Sequence, residues 1–282
     1  MTHPAILVFD SGLGGLTVYR EVARARPDAR FVYAADDAVF PYGRLAPDVL
    51  VARVMAVLEE RIAAYAPELV VIACHTASTL VLPHLRARFT MPFVGTVPAI
   101  KPAAAASRSR RVSVLATPGT VARDYTHELV RAYAGDCDVA LVGSTRLASY
   151  AETIMAGGAV ADTAIAAEIA PCFREDAERR TDTVVLACTH YPLLLDRLER
   201  LAPWPVSWID PAPAIARRVL QLIGDDPVDG AAPGGGTAIF TDGAAITPAL
   251  EATLAGYGLP LVVRAPLRAD EALSQRAAPA SV

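Results

Sequence analysis

Two segments of this chain repeat one pattern over a long distance. Val70-Val71-Ile72-Ala73-Cys74-His75-Thr76 and Val184-Val185-Leu186-Ala187-Cys188-Thr189-His190 are each an apolar run that stops at a thiol, followed by hydroxyl and imidazole groups. Runs this short and this rich in β-branched residues read as buried strands. A second pair aligns in the same order: Ala5–Phe9 ends at Asp10, and Arg111–Leu115 ends at Ala116-Thr117. The partners are offset by 114 and 107 residues, which predicts a duplicated α/β unit of about 100 residues, an ordinary domain size.

Helical spacing falls between the strands. It covers Leu16–Arg26, Asp48–Tyr65 and Ser78–Phe89 in the first half, then Val121–Tyr133, Ala148–Met155, Val160–Cys172 and Leu193–Leu201 in the second. Alternating strands and helices imply mostly parallel sheets covered on both faces. The expected fold class is therefore α/β: two similar domains related by pseudo-two-fold symmetry, with a site in the cleft between them. After Asp210 come a helix over Ala212–Ile223, a Gly- and Pro-rich loop over Asp225–Gly236, and short elements up to Arg264. This tail is too small for its own core and is expected to pack on the first half. The expected domains are 1–98 plus 210–282, and 99–209, with fraying after about Ala269.

In parallel sheets ligands sit beyond the carboxyl ends of the strands. Asp10, Cys74, Thr117 and Cys188 all fall there. A free thiol titrates near 8.5, so each cysteine can hold or release a proton, and a helix N-terminus after each strand would favour the thiolate. Two thiols on facing halves can take a proton from one side of a carbon and return one to the other. Cys137 and Cys172 lack such a setting and read as structural. His190 can polarise the nearby thiol, and Glu152 can bear on His190.

The loop Asp10-Ser11-Gly12-Leu13-Gly14-Gly15 has Thr17 where a dinucleotide fingerprint needs its third glycine. Its amides could still hold a carboxylate or phosphate at the following helix. Asp10 either faces the cleft or caps that helix. Cys74, His75, Cys188 and His190 are acceptable zinc ligands, but adjacent side chains diverge at a strand end, so no metal is expected.

Composition closes off other classes. Of 26 basic residues only Lys101 is lysine, and pyridoxal phosphate needs a lysine for its Schiff base. Chemistry at an amino-acid carbon is therefore expected to need no cofactor. A net charge of −4 leaves no basic footprint for nucleic acid or anionic membrane. No apolar run approaches the roughly 18 residues of a membrane span. The first strand starts almost at once after Met1, so no signal peptide and a cytoplasmic location are expected.

The motifs together resemble glutamate racemases, of the cofactor-independent aspartate/glutamate racemase superfamily. The resemblance is carried by Phe9-Asp10-Ser11-Gly12-Leu13-Gly14-Gly15-Leu16-Thr17, Pro41-Tyr42-Gly43, Ala73-Cys74-x-Thr76-Ala77-Ser78, Pro98-Ala99-Ile100-Lys101-Pro102 and Cys188-Thr189-His190-Tyr191-Pro192-Leu193-Leu194. It implies interconversion of L- and D-glutamate for peptidoglycan, and commonly a homodimer. It implies that Cys74 removes the α-proton of D-glutamate and Cys188 that of L-glutamate. Asp10 would assist Cys74, and His190 with Glu152 would assist Cys188. Ser11, Tyr42, Gly43, Thr76, Thr120 and Thr189 match its substrate-contacting positions. His75 stands where that family has asparagine, at a substrate-contacting position. That departure leaves open a racemase of another amino acid, such as aspartate, or a weakly active paralogue with a binding role.

Overall fold

The computed structural model describes residues 3–225 and 235–267. Most of the expected 225–236 loop, and the fraying expected after residue 269, lie outside the described residues.

The first half runs β1 (Ala5–Asp10), α1 (Leu16–Ala25), β2 (Arg30–Ala35), α2 (Pro47–Tyr65), β3 (Leu69–Ile72), α3 (His75–Arg88) and β4 (Phe93–Gly95). The second runs α4 (Ile100–Ala106), β5 (Arg111–Ala116), α5 (Pro118–Val121), α6 (Asp124–Tyr133), β6 (Asp138–Gly143), α7 (Leu147–Met155), α8 (Asp162–Ile169), β7 (Thr183–Ala187), α9 (Leu195–Leu201) and β8 (Ser207–Ile209). The chain then continues through α10 (Ala212–Ile223), β9 (Thr237–Phe240), α11 (Pro248–Gly256) and β10 (Leu261–Arg264).

Two parallel sheets result, ordered β10-β9-β2-β1-β3-β4 and β6-β5-β7-β8. Within the first, β2-β1-β3-β4 has the same topology as the whole of the second, so the duplication seen in sequence is a duplication of structure. The tail adds β9 and β10 to the first sheet through β2.

Period-two alternation explains why the strand sequences look uniformly apolar. Ile6 and Val8 of β1 pack in one core layer, while Leu7 and Phe9 pack in the layer on the opposite face. In β7, Val184 and Leu186 divide from Val185 and Ala187 in the same way. Both faces are covered by helices, so no strand face needs polar residues.

The helices differ from expectation at their starts. α3 begins at His75 rather than Ser78, which makes Cys74 its N-cap. The helix expected over Val121–Tyr133 is two helices, broken at Ala122-Arg123. The 193–201 segment opens with a 3-10 turn at Tyr191–Leu194. α4 had no counterpart in the sequence reading. Pro102 is tolerated because it sits in the first turn, where no backbone donor is lost.

A buried ion pair fixes the seam between the tail and α1. Arg26 donates to both carboxylate oxygens of Asp28 at 2.8 and 2.7 Å, and to the carbonyls of Ile223 and Gly224 at the end of α10. Both side chains are 3% exposed. Arg26→Ala would remove the guanidinium that donates to both oxygens of the Asp28 carboxylate. The expected loss is about 3 kcal/mol of unfolding free energy in urea titration; a loss below 1 kcal/mol would show the pair is dispensable.

Candidate active site

The carboxyl ends of β1, β3, β5 and β7 converge on one cleft, as the parallel sheets require. Its wall includes Ser11, Cys74, His75 and Thr76 from the first half, and Cys188, Thr189 and His190 from the second. Tyr42 and Gly43 close it from the loop after β2. Free space inside is only about 20 Å³, little more than one water molecule. Asp10, Thr120 and Glu152 stand behind the wall, each in contact with groups on it. Phe40, Pro41, Thr117 and Ala148 also line the cleft and were not singled out as substrate contacts. Pro41 and Thr117 were visible as a motif and a strand end. Phe40 and Ala148 carry no polar signal; Phe40 tilts against the His190 ring at 5.3 Å between centroids.

The glycine loop does something other than expected. Its amides are not free for an anionic ligand. Gly12 and Gly15 donate to Asp10 Oδ2 at 3.2 and 3.0 Å, and Leu13 donates to Glu152 Oε1 at 2.5 Å. The glycines are needed for close approach. A Cβ at Gly12 would lie 2.2 Å from Glu152 Oε1, and one at Gly14 would lie 2.3 Å from His190 Nδ1. The loop thus lets two side chains of the second half pack directly on the backbone of the first.

Asp10 is fully buried. Burial raises its pKa above the ordinary value, and the nearby His190 and the Gly15 amide offset this in part. Thr189 Oγ1 donates to Asp10 Oδ1 at 3.5 Å, and Thr17 Oγ1 donates to the Thr189 carbonyl at 3.1 Å. Asp10 therefore holds the turn that leads into α1 and stands behind the cleft wall rather than on it.

The two thiols sit in different surroundings. Cys74 caps α3, yet burial pushes its pKa up, and the Asp10 charge and Cys188 add to the rise. The expected helix-dipole activation is therefore outweighed by desolvation. Ser11 Oγ lies 3.8 Å from its sulfur. Cys188 has no α-helix directly after it, since a 3-10 turn and then α9 follow. Its neighbour is His190, whose Nδ1 is 3.8 Å from the sulfur, while Nε2 is 2.7 Å from Glu152 Oε1. Burial alone would lower the histidine pKa, but the Cys188 sulfur and Glu152 carboxylate more than reverse this and raise it well above the usual value. With both ring nitrogens protonated, the Gly14 amide 3.2 Å from Nε2 has nothing to donate to, so that approach is steric.

Three hydroxyls bridge the halves on the opposite side of the cleft. Thr76 Oγ1 is 2.9 Å from Thr117 Oγ1 and 3.2 Å from Thr120 Oγ1, and the last two are 3.1 Å apart. Such a triangle offers donors and acceptors to a carboxylate or ammonium group.

His75 is buried, and neither ring nitrogen meets a partner in hydrogen-bond geometry. Burial pushes its pKa down to about 3, with a small opposing effect from the Val97 backbone. It is thus a neutral imidazole at neutral pH.

The sequence profile of the Asp/Glu/hydantoin racemase family matches residues 14–219. A glutamate racemase of Mesorhizobium japonicum is 56% identical over 246 residues, 86% of this chain and 93% of that protein. One from Brucella canis is 58% identical over 219 residues, 77% of this chain and 79% of that protein. Among solved structures, an Escherichia coli glutamate racemase in complex with L-glutamate and the activator UDP-MurNAc-Ala superposes with a TM-score of 0.85. It is 38% identical, with 94% of this chain and 99% of that one covered. A glutamate racemase isoform from Bacillus anthracis gives 0.78 at 25% identity, covering 95% and 99%.

The buried neutral histidine has a consequence for acid stability. In the unfolded chain His75 titrates near 6.5, and in the fold only near 3. Below pH 6.5 the unfolded state takes up a proton that the folded state refuses, so stability falls progressively down to about pH 3. Between pH 7 and 5 the wild type is expected to lose about 2 kcal/mol more than His75→Asn in urea titration. Equal losses would show that His75 is protonated in the fold.

Proposed function

From the premise that this chain belongs to the Asp/Glu/hydantoin racemase family, we infer that it interconverts L- and D-glutamate with two opposed cysteines. The observation that carries the reading is the meeting of Cys74 and Cys188, from equivalent strand ends of the duplicated unit, on one cleft. The relatives at 56% and 58% identity are glutamate racemases, which supports glutamate over aspartate.

In the L-to-D direction the Cys188 thiolate, paired with the imidazolium of His190, takes the α-proton. The electron pair stays on the α-carbon as a carbanion. The Cys74 thiol then gives its proton to the opposite face, and the turnover ends with Cys188 as thiol and Cys74 as thiolate. The reverse reaction starts from that state. Protonated Cys74, favoured by burial and by the Asp10 charge, is the acid this direction needs. Glu152 holds His190 in its charged form. An incoming substrate ammonium would offset the like charge of Asp10 and ease thiolate formation at Cys74 for the D-to-L direction. Ser11, the Tyr42-Gly43 backbone, His75, Thr76, Thr120 and Thr189 would hold the substrate carboxylates and ammonium.

The free space in the cleft is too small for glutamate. Substrate would be admitted by parting of the two halves, divided near residues 98 and 209. Among the described residues no helix is long and apolar enough to cross a membrane. The resemblance supports a cytoplasmic homodimer whose D-glutamate goes to peptidoglycan.

Cys74→Ala and Cys188→Ala are each expected to lower racemisation by at least about 10³-fold, measured as loss of optical rotation and deuterium uptake at Cα in heavy water. Full activity in either would remove the two-base scheme. The alkaline limb of kcat/KM for L-glutamate is expected above pH 6.5, because His190 keeps its proton beyond that point. In His190→Gln this limb should shift; an unchanged profile would assign it to another group.

A further inference from the structure

We propose that Asp36, outside the cleft, is a positioning residue that fixes the Tyr42-Gly43 wall of the substrate pocket through the phenol of Tyr42. The inference rests on the racemase reading and extends it to a residue with no place in the two-base scheme.

Asp36 follows β2 directly and is fully buried. Its amide donates to the Asp10 carbonyl at 2.9 Å, so its backbone is tied to the residue beside Cys74. Its carboxylate is saturated. Oδ2 accepts from Tyr42 Oη at 2.6 Å and Arg53 Nε at 2.9 Å, and Oδ1 accepts from Arg53 Nη2 at 2.7 Å and Thr241 Oγ1 at 2.8 Å. Arg53 lies on α2 and Thr241 just past β9, so three separate elements meet on one anion.

Tyr42 is the only one of those donors that also lines the cleft. Its side chain is 1% exposed and lies in the core of the first half, 6.4 Å from Phe9 between ring centroids. The phenol therefore faces away from the substrate, and the wall it offers is its backbone with that of Gly43. From the other side this backbone is pressed by the second half. A Cβ on Gly43 would lie 3.2 Å from Thr117 Cβ, and one on Gly119 would lie 3.2 Å from the Gly43 carbonyl. The wall is thus held between an internal anchor and the facing domain. When the halves part to admit substrate, the Thr117 side is withdrawn, and the Asp36–Tyr42 bond is the polar tether that, with the packing of the ring, keeps the wall in register.

A wall of this kind contacts substrate and transition state alike, so loosening it should raise KM and leave kcat nearly unchanged. A purely structural ion pair would behave differently, lowering the active fraction and apparent kcat at constant KM.

The test uses Tyr42→Phe, which keeps the ring and leaves Asp36 with Arg53 and Thr241, together with Asp36→Asn and the double variant. Tyr42→Phe is expected to raise KM for both enantiomers about tenfold, as for a lost bond to a charged acceptor, with kcat within about threefold of wild type. The double variant should show no further rise in KM over Asp36→Asn, because both remove the same tether. An unchanged KM in Tyr42→Phe, or KM effects that multiply in the double variant, would overturn the inference. If Asp36→Asn does not fold, the Tyr42→Phe result decides alone. A wild-type chain that does not turn over glutamate would overturn the racemase reading and this inference with it.

Discussion

One carboxylate oxygen joins the two halves of this molecule. Glu152 Oε1 accepts from the Leu13 amide of the first half and meets the His190 ring of the second. The bond to Leu13 requires Gly12 to have no side chain, and the approach of His190 requires the same of Gly14. Through His190 the same oxygen reaches the environment of Cys188. Both groups that charge the imidazole, Glu152 and Cys188, belong to the second half, and the Leu13 amide ties that pair to the first. If the halves separate, Glu152 loses an amide donor, and the pair that raises the His190 pKa is free to relax.

That coupling turns a symmetric scaffold into an asymmetric site. Duplication places a cysteine after β3 and another after β7, in sheets of matching strand order. Symmetric surroundings would give both thiols the same proton affinity, and neither would be preferred as acid or base. Instead, one thiol faces a buried carboxylate and the other an imidazolium. Asp10 disfavours charge on Cys74, whereas His190 stands ready to balance charge on Cys188. A proton-shuttling pair needs this inequality within each turnover and needs it to be small enough to reverse.

Much of this was legible in the sequence, for physical reasons that differ by element. Strands were readable because burial on both faces makes them continuous apolar runs, and Cys74 and Cys188 were readable because a polar residue ending such a run must face a cleft. The Asp10–Gly15 loop was placed correctly, but its amides were assigned to a ligand. Asp10 claims two of them locally, but Glu152, which takes the Leu13 amide, and His190, which packs on Gly14, lie well over a hundred residues away, and no local pattern encodes that meeting. α3 begins three residues early because Cys74 can cap it with extended backbone, although cysteine is no usual cap. Phe40 and Ala148 line the cleft through shape alone. Asp36 was not singled out, because the convergence of Tyr42, Arg53 and Thr241 on its carboxylate follows no local pattern.

His75 shows most clearly why local chemistry cannot be read from residue type. A histidine beside a reactive thiol suggests a charge, and a charge there would compete with the ammonium of the substrate. Burial removes that option. At the N-terminus of α3, with no carboxylate among the causes of its shift and only the Val97 backbone opposing desolvation, the ring is held neutral. A neutral imidazole has one donor and one acceptor, against the two N–H donors and the carbonyl oxygen of a side-chain amide. Histidine at this position therefore offers a ligand less hydrogen bonding than asparagine would, and adds sensitivity to acid. The electrostatic difference between the Cys74 and Cys188 faces is then left to Asp10, Glu152 and His190.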